Sequence, residues 1–436
     1  MNPLAEELNS IINSEAPHLY EMLSELGRCF FFPSKGILSQ SAEAKKKAFK
    51  FNATIGTAME NGEAMHLDCL TSQLPGISPD NALLYAPSPG NQKLREAWLA
   101  KDLKDNPEMV GKPCSLPIVT CGLSHSLSLI ADMVADKGDI LVYPNKNWGN
   151  YALNFVQRKG AVPRLFTLFK DGGFNLDSFR ETLEAAVAEG RKKIIVLLNF
   201  PNNPTGYSPT EQECCGIAST LKEIADKGVN LVVIVDDAYF GLFFKPETRR
   251  QSLFGKLAGL HERILAFKAD AATKEVYVWG LRVGFVTFSI GGVKENSPVF
   301  DAVNAKMGGL IRAVISNSSA LSQHLVLNAL KSPDFFAQRN AKASVMRGRA
   351  LKVEEVLKNA EYSQAWEPYP FDSGYFMCLK INGVNANALR VHLLDKYGVG
   401  TIAVNDTDLR VAFSCIEEEN IPELFSLIFQ AWKDLR

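Results

Sequence analysis

Leu231-Val-Val-Ile-Val235-Asp236-Asp237-Ala-Tyr239 is a run of five apolar residues, four of them β-branched, that stops on two carboxylates. A strand apolar at every position, rather than at every second one, is buried on both faces, as in a parallel sheet covered by helices. Similar runs predict strands over 117–121, 140–143, 163–167, 193–198, 264–267 and 281–288. Helical patterns ending near 135 and 158, and spanning 176–189 and 209–225, separate them. This alternation predicts an α/β architecture with a mostly parallel central sheet flanked by helices. Ligands in such sheets bind at the carboxyl ends of the strands, so the residues closing each run are the ones that matter chemically.

Beyond about Ser318 the pattern changes to long helices over 319–330 and 335–357, strands over 375–379 and 409–413, and a closing helix from Ile421. That predicts a smaller α+β domain. The N-terminus predicts a helical arm to about Gly27, then an entry strand and turn over Phe51-Asn-Ala-Thr-Ile-Gly56. A chain of 436 residues exceeds the roughly 250–300 at which one core stops growing. The expected division is 1–69 as arm and part of the small domain, 70–325 as the large domain and 326–436 as the rest of the small one.

A net charge of -1 with 22% charged residues gives no basic surplus for a nucleic-acid partner. The N-terminal stretch is acidic rather than a signal peptide, and no segment is long and apolar enough for a membrane. Eight scattered cysteines without a C-x-x-C pair suit reduced thiols in a cytoplasm and predict no metal site. No G-x-G-x-x-G follows a strand, which disfavours a nicotinamide dehydrogenase.

The segment Asp270-Ala-Ala-Thr-Lys274-Glu-Val-Tyr-Val-Trp-Gly-Leu-Arg282-Val-Gly284 sets an amine and a guanidinium eight residues apart in strand-prone, apolar surroundings. Buried cations need partners, so Arg282 predicts an anion inside the protein. A carbonyl-bearing cofactor with a phosphate tail uses both groups, Lys274 as a Schiff base and Arg282 as a phosphate clamp. Pyridoxal phosphate is such a molecule. Asp236, at the sheet's rim, is then placed to hold the pyridinium nitrogen protonated, and Tyr239 with Asn203 to hydrogen-bond the ring's phenolate oxygen. Cys121-Gly122-Leu123-Ser124-His125 opens a helix whose free N–H groups, with the Ser124 hydroxyl, suit a phosphate. Trp148 is available to stack on the ring. Each has a plainer reading: helix capping for Asp236 and Asp237, a turn for Asn203-Pro204, a strand-to-helix turn at Ser124, a core tryptophan at 148, and a packed or solvent-facing histidine at 125.

Asn203-Pro-Thr-Gly206, Asp236-x-Ala-Tyr239, Lys274 with Arg282, and Leu409-Arg410-Val-Ala-Phe-Ser resemble, in order and separation, the class I/II aminotransferases of fold type I, the aspartate/aromatic kind. The resemblance covers roughly residues 50–430. It implies pyridoxal 5'-phosphate as cofactor, Lys274 as the Schiff-base lysine, Leu123, Ser124 and Arg282 at the phosphate, and Trp148 over the ring. It further implies Gly56 and Arg410 at the substrate, Arg410 clamping the α-carboxylate. Leu84-Tyr85-Ala-Pro-Ser-Pro-Gly90 is similar to the segment whose tyrosine reaches the neighbouring subunit's phosphate, implying a homodimer. Leu310-Ile-Arg312 resembles the segment whose arginine crosses the dimer to a substrate's second carboxylate; an arginine on an ordinary interface helix reads equally well. Arg410 has an independent case, since its fork matches a carboxylate bidentately, against a salt bridge with one of Glu417 to Glu419. Two positions depart from the family: Ala271 stands where a small Ser or Gly is usual, and Tyr277 where a small residue is. The expectation is that Thr273 or Asp270 rearranges the phosphate loop.

The implied reaction is ping-pong transamination between an L-amino acid, dicarboxylic and/or aromatic, and a 2-oxo acid. The rivals are a β-eliminating lyase on the same cofactor and a non-catalytic, cofactor-binding regulatory protein.

Overall fold

The computed structural model describes residues 37–436 apart from Ile55, Thr57, 73–75, 295 and 296, with scattered residues before position 14; the expected arm to Gly27 lies largely outside the described residues. In chain order the elements that position the site are α1 (Ile37–Lys47), α2 (Gln92–Asp105), β1 (Ile118–Thr120), α3 (Leu123–Val134), β2 (Ile140–Pro144), β3 (Val162–Phe166), α4 (Leu176–Ala188), β4 (Lys193–Asn199), α5 (Glu211–Asp226), β5 (Asn230–Asp236) and β6 (Ile264–Ala271). They continue with α6 (Ala272–Glu275), β7 (Gly284–Ile290), α7 (Pro298–Val314), α8 (Ala320–Lys331), α9 (Phe335–Leu357), β8 (Trp366–Pro368), β9 (Met377–Ile381), α10 (Ala386–Tyr397), β10 (Ile402–Ala403), β11 (Asp408–Val411) and α11 (Ile421–Asp434).

The central sheet has seven strands in the order β1-β7-β6-β5-β4-β2-β3. All pairings are parallel except those of β7, which runs against β6 and β1. Continuous apolar runs are explained by burial on both sides: Ile195, Leu197, Val232 and Ile234 enter one core, while Ile194, Val196, Val233 and Val235 enter the other. α5 shows how a covering helix is specified. Thr210 and Glu213 form a reciprocal capping box at its start, and Cys214, Ile217, Leu221 and Ile224 recur at helical spacing to face the sheet.

The second sheet is four-stranded and antiparallel, in the order β8-β9-β11-β10. α11 packs Leu424, Phe425, Ile428 and Trp432 into its core. The early chain joins this lobe: Phe51 and Asn52 pair in parallel with Val399 and Gly400, and the Ala412 N–H donates to the Ala53 carbonyl at 2.9 Å.

Two expectations need correction. β6 does not end at Phe267 but runs on to Ala271, because the charges of Lys268 and Asp270 are paired inside the protein instead of breaking the strand. The strand expected from Leu281 begins at Gly284; before it, Trp279–Leu281 form a 3-10 turn and Arg282 is left-handed, with φ 54°. That turn puts Arg282 at an exposed position instead of inside the sheet.

Gly206 locks the two lobes. At φ +79°, a Cβ there would stand 2.0 Å from the Phe376 carbonyl oxygen and 2.9 Å from that of Ser373. We predict that Gly206→Ala lowers stability by about 2 kcal/mol or more in urea unfolding. Wild-type stability in that variant would contradict this packing.

Candidate active site

The carboxyl ends of β4, β5 and β6, the start of α3 and the polypeptide following β2 converge with Arg410 of β11 on a cavity of about 470 Å³. Gly56, Leu123, Trp148, Asn203, Asp236, Tyr239, Lys274, Arg282 and Arg410 all line it. Residues spread over some 350 positions of sequence are thus brought to one space, as the strand-end rule requires.

Asp236 lies fully buried at the end of β5. One carboxylate oxygen accepts from the Tyr151 hydroxyl at 2.7 Å and the other from the Ala238 N–H at 3.0 Å. Burial pushes its carboxyl up to about 6, against the pull of those donors and of the Lys274 charge. Its backbone carbonyl accepts from the Asn199 side chain at 2.9 Å, and Asn199 in turn accepts the Asn203 N–H at 2.8 Å. The carboxylate thereby serves neither as the cap of a following helix nor as an ion-pair partner in packing; it needs a cation in the cavity to return to its ordinary range.

Lys274 stands on α6, the short helix that follows β6, with its amine 4.7 Å from the centroid of the Tyr239 ring. Desolvation lowers its pKa to about 8; the Arg282 and Arg410 charges act in the same direction and Asp236 opposes them. An amine tuned this way is neutral in useful amounts near neutral pH, which an ordinary lysine is not.

Three buried donors face no partner among the described residues: Thr273 Oγ1, Trp279 Nε1 and Arg410 Nε, each on a residue that lines the cavity. Of the two residues expected to bear on the departure at Ala271, Asp270 turns away from the cavity, accepting from Trp98 Nε1 at 2.9 Å, and Thr273 lines it. α3 begins at Gly122 with no side-chain cap, leaving its first-turn N–H groups for an anion. Gly122 is required there: at φ +79° a Cβ would come within 2.3 Å of an Arg282 guanidinium nitrogen. The donor set, a helix N-terminus, Arg282, Thr273 and a neutralisable lysine, fits a phosphate-bearing aldehyde.

Arg410 donates to Asn203 Oδ1 and to the Thr54 carbonyl, both at 3.0 Å, and its guanidinium lies 4.1 Å from the Phe376 ring centroid. It has no carboxylate partner among the described residues; Glu417 pairs with Arg349 instead. The salt-bridge reading therefore fails, and a buried guanidinium lines the cavity with its Nε unpartnered among the described residues.

Three expected site residues are not brought to this cavity within the subunit. Ser124 is exposed on the outer side of the first turn of α3, while its neighbour Leu123 lines the cavity. Tyr85 is 92% exposed, and Arg312 lines a separate groove with Ser88, Gln92 and Asp301. His125 accepts the Cys121 N–H on Nδ1 at 3.0 Å and closes the turn. Sequence reasoning missed Tyr151, Asn199, Thr273 as a free donor, and the contribution of Ser41 and Lys45 from α1. For Tyr151 the signal was present: it lies three residues after Trp148, one helical turn on, and meets it edge-on at 5.8 Å.

Directly beneath the site is a buried cluster of three cations, Lys101, Lys268 and Arg339, and five carboxylates, Asp102, Asp105, Asp237, Asp270 and Glu275. Lys268 reaches Asp102 at 3.1 Å, Asp237 at 3.8 Å and also Asp270. Lys101 reaches Glu275 at 2.6 Å, and Arg339 of α9 joins Glu275 at 2.9 Å to Asp105 at 2.8 Å. Burial pushes Asp237 up to about 7 and Asp270 up to about 6. Burial also depresses the Lys268 amine, but Asp102, Asp270 and Asp237 together hold it above its ordinary value.

This geometry is that of a fold-type I pyridoxal-phosphate enzyme. The model of the family described as aminotransferase class I and II matches residues 67–428, and the chain belongs to that family. It is 31% identical to a probable aspartate/prephenate aminotransferase of Aquifex aeolicus over 63% of each chain. It is 26% identical to a histidinol-phosphate aminotransferase of Caldanaerobacter subterraneus over 71% of this chain and 73% of that one. The chain spans 63% and 59% of the length of the first two curated relatives it matches. Among solved structures, an aminotransferase from Anaerococcus prevotii superposes with a TM-score of 0.80 at 22% identity, over 95% of this chain and all of that one. That likeness establishes the shared fold. Enzymes of this family work with pyridoxal 5'-phosphate, and the residues around the cavity fit it.

Removing the centre of the cluster tests its worth. We predict that Lys268→Met, which strands three carboxylates, costs about 3–5 kcal/mol of stability at pH 8 in denaturant unfolding. The loss shrinks toward pH 5. With Lys268 gone the buried carboxyls titrate higher still, so the folded variant binds more protons than its unfolded chain, and its stability rises as pH falls. A pH-independent loss would contradict the electrostatic account.

Proposed function

We propose that the protein is a pyridoxal-phosphate-dependent aminotransferase that moves an amino group between an L-amino acid, dicarboxylic and/or aromatic, and a 2-oxo acid by a ping-pong mechanism. The observation that carries this reading is the joint placement of Lys274, Asp236 and Arg410 on one cavity, the last with no carboxylate partner among the described residues. Neither the lyase nor the regulatory alternative gains an observation of its own.

When bound, pyridoxal phosphate supplies an electron sink for the pair released as a substrate Cα–H bond breaks. Lys274 would be the residue that holds the group, and its amine would take the substrate Cα proton as general base and return it as general acid. Asp236, kept in place by Tyr151 and the Ala238 N–H, would hold the ring nitrogen protonated. Tyr239 and Asn203 would serve as donors to the ring's oxygen, and Trp148 would pack against the ring. Arg282, the first turn of α3 and Thr273 would hold the phosphate. Arg410 takes the α-carboxylate in its fork, which fixes Cα relative to Lys274.

The same reading makes the enzyme a homodimer in a cytoplasm. Leu83, Leu84 and Tyr85 are 81%, 63% and 92% exposed, and Val314 on the adjoining helix is 64% exposed, an apolar surface that a second copy would cover. In that arrangement Tyr85 serves the neighbouring subunit's site, Arg312 lies on an interface helix, and the cofactor-binding large domain is 70–325. No helix among the described residues is long and apolar enough to cross a membrane.

Borohydride reduction of the cofactor-loaded protein followed by peptide mapping is expected to place the label on Lys274, and Lys274→Ala to lose at least about 10³-fold in turnover. A label on another lysine overturns the assignment. The rate of cofactor capture, followed by absorbance, is expected to rise with pH through about 8 and then level off, because only the neutral Lys274 amine attacks. A rise continuing to pH 10 would show an unperturbed amine.

A further inference from the structure

α1 is tied to the small lobe along one side. The Gln40 side chain both donates to the Ala403 carbonyl at 3.0 Å and accepts the Ala403 N–H at 2.8 Å. Glu43 pairs with Arg390 at 2.8 Å, Lys47 with Asp395 at 3.0 Å, and Ala44 is buried. These positions, 40, 43, 44 and 47, mark one face of a helix, and they fix how it is turned. The opposite face then presents Ser41, Ala42 and Lys45 to the cavity, and all three line it.

The charge balance of the cavity lining is uneven. Its cations are Lys45, Lys274, Arg282 and Arg410, and its carboxylate is Asp236. Under the transamination reading, on which this inference rests, Lys274 is consumed by the cofactor, Arg282 by its phosphate and Arg410 by the substrate's α-carboxylate. Lys45 remains. It makes no hydrogen bond or ion pair among the described residues, and Glu43, two positions away, is already engaged by Arg390 and Lys47. Arg312, the residue on which sequence reasoning placed a second-carboxylate role, lines a different groove of the subunit.

We propose that Lys45 is a specificity-determining residue that receives the side-chain carboxylate of a dicarboxylic substrate, with the Ser41 hydroxyl one turn earlier as a second donor. The α-carboxylate in Arg410 and the distal carboxylate at Lys45 would hold the substrate by both ends, within one subunit. A monocarboxylic amino acid makes only the first contact. Lys45→Ala touches none of the anchors at Gln40, Glu43 or Lys47, so the helix stays in place in the variant.

The test is calorimetric titration of the cofactor-loaded protein with succinate and with propionate, which bind without turnover, alongside kcat/KM for glutamate and phenylalanine. Lys45→Ala is expected to weaken succinate by about tenfold, and to move propionate far less. Lys45→Arg keeps the preference for succinate. The glutamate-to-phenylalanine ratio of kcat/KM falls by a similar factor in Lys45→Ala. Equal losses for the two acids, no loss for either, or a succinate preference that disappears in Arg312→Ala but survives in Lys45→Ala each overturn the proposal. A wild-type protein that binds succinate through Lys45 but transaminates no amino acid would sink the reaction and leave this site standing.

Discussion

The site depends on a charge cluster that never meets the substrate. Asp237 and Glu275 are the residues immediately after Asp236 and Lys274, and both are bound into the same buried network, Asp237 through Lys268 and Ser252, Glu275 through Lys101 and Arg339. The acid and the amine that line the cavity are therefore placed by neighbours that share one set of counter-ions. Burying so many charges is costly, and an apolar core of the same shape would serve stability as well. What ion pairs add is direction: a carboxylate held by two cations fixes where its backbone goes, and α6, one turn long, has little else to fix it.

The same cluster explains what was legible in the sequence and what was not. Strands such as Leu231–Val235 announce themselves because both faces are apolar, and the strand-end polar residues Asp236, Asn203 and Lys274 follow from them. β6 reads short because Lys268 and Asp270, two apart and hence on one face, look like the end of a strand when they are buried as completely as the apolar residues beside them. α2 conceals its inner face in the same way. Trp98, Lys101, Asp102 and Asp105 recur at helical spacing, yet the stripe is charged and reads as solvated until its partners on β6, α6 and α9 are known. Pattern reading assigns charge to the surface, and it fails where charges neutralise one another across distant segments.

The Arg282 argument shows the converse. Its expectation of a guanidinium buried in a strand was wrong, because a left-handed turn lifts Arg282 to the cavity's rim. What supports a phosphate beside it is of a different kind: Gly122 leaves room for the guanidinium next to the uncapped start of α3, and Thr273 Oγ1 has no partner among the described residues. Arg410, by contrast, is buried as its sequence context implied, and it has no carboxylate partner among the described residues.

The division of labour between the two faces of β6 also bears on the Lys274 amine. Its pKa is lowered chiefly by desolvation, and desolvation acts only if no nearby carboxylate offers the ammonium a stronger hold. Asp270 and Glu275, the sequence neighbours best placed to do so, are both turned away and occupied, by Lys268 and Trp98 in one case and by Lys101 and Arg339 in the other. Among the described residues Asp236 is what opposes the shift, and its own carboxylate is engaged by Tyr151 and the Ala238 N–H. A self-satisfied cluster beneath the cavity thus favours a lowered Lys274 pKa, because the carboxylates nearest the amine in sequence are held by other cations.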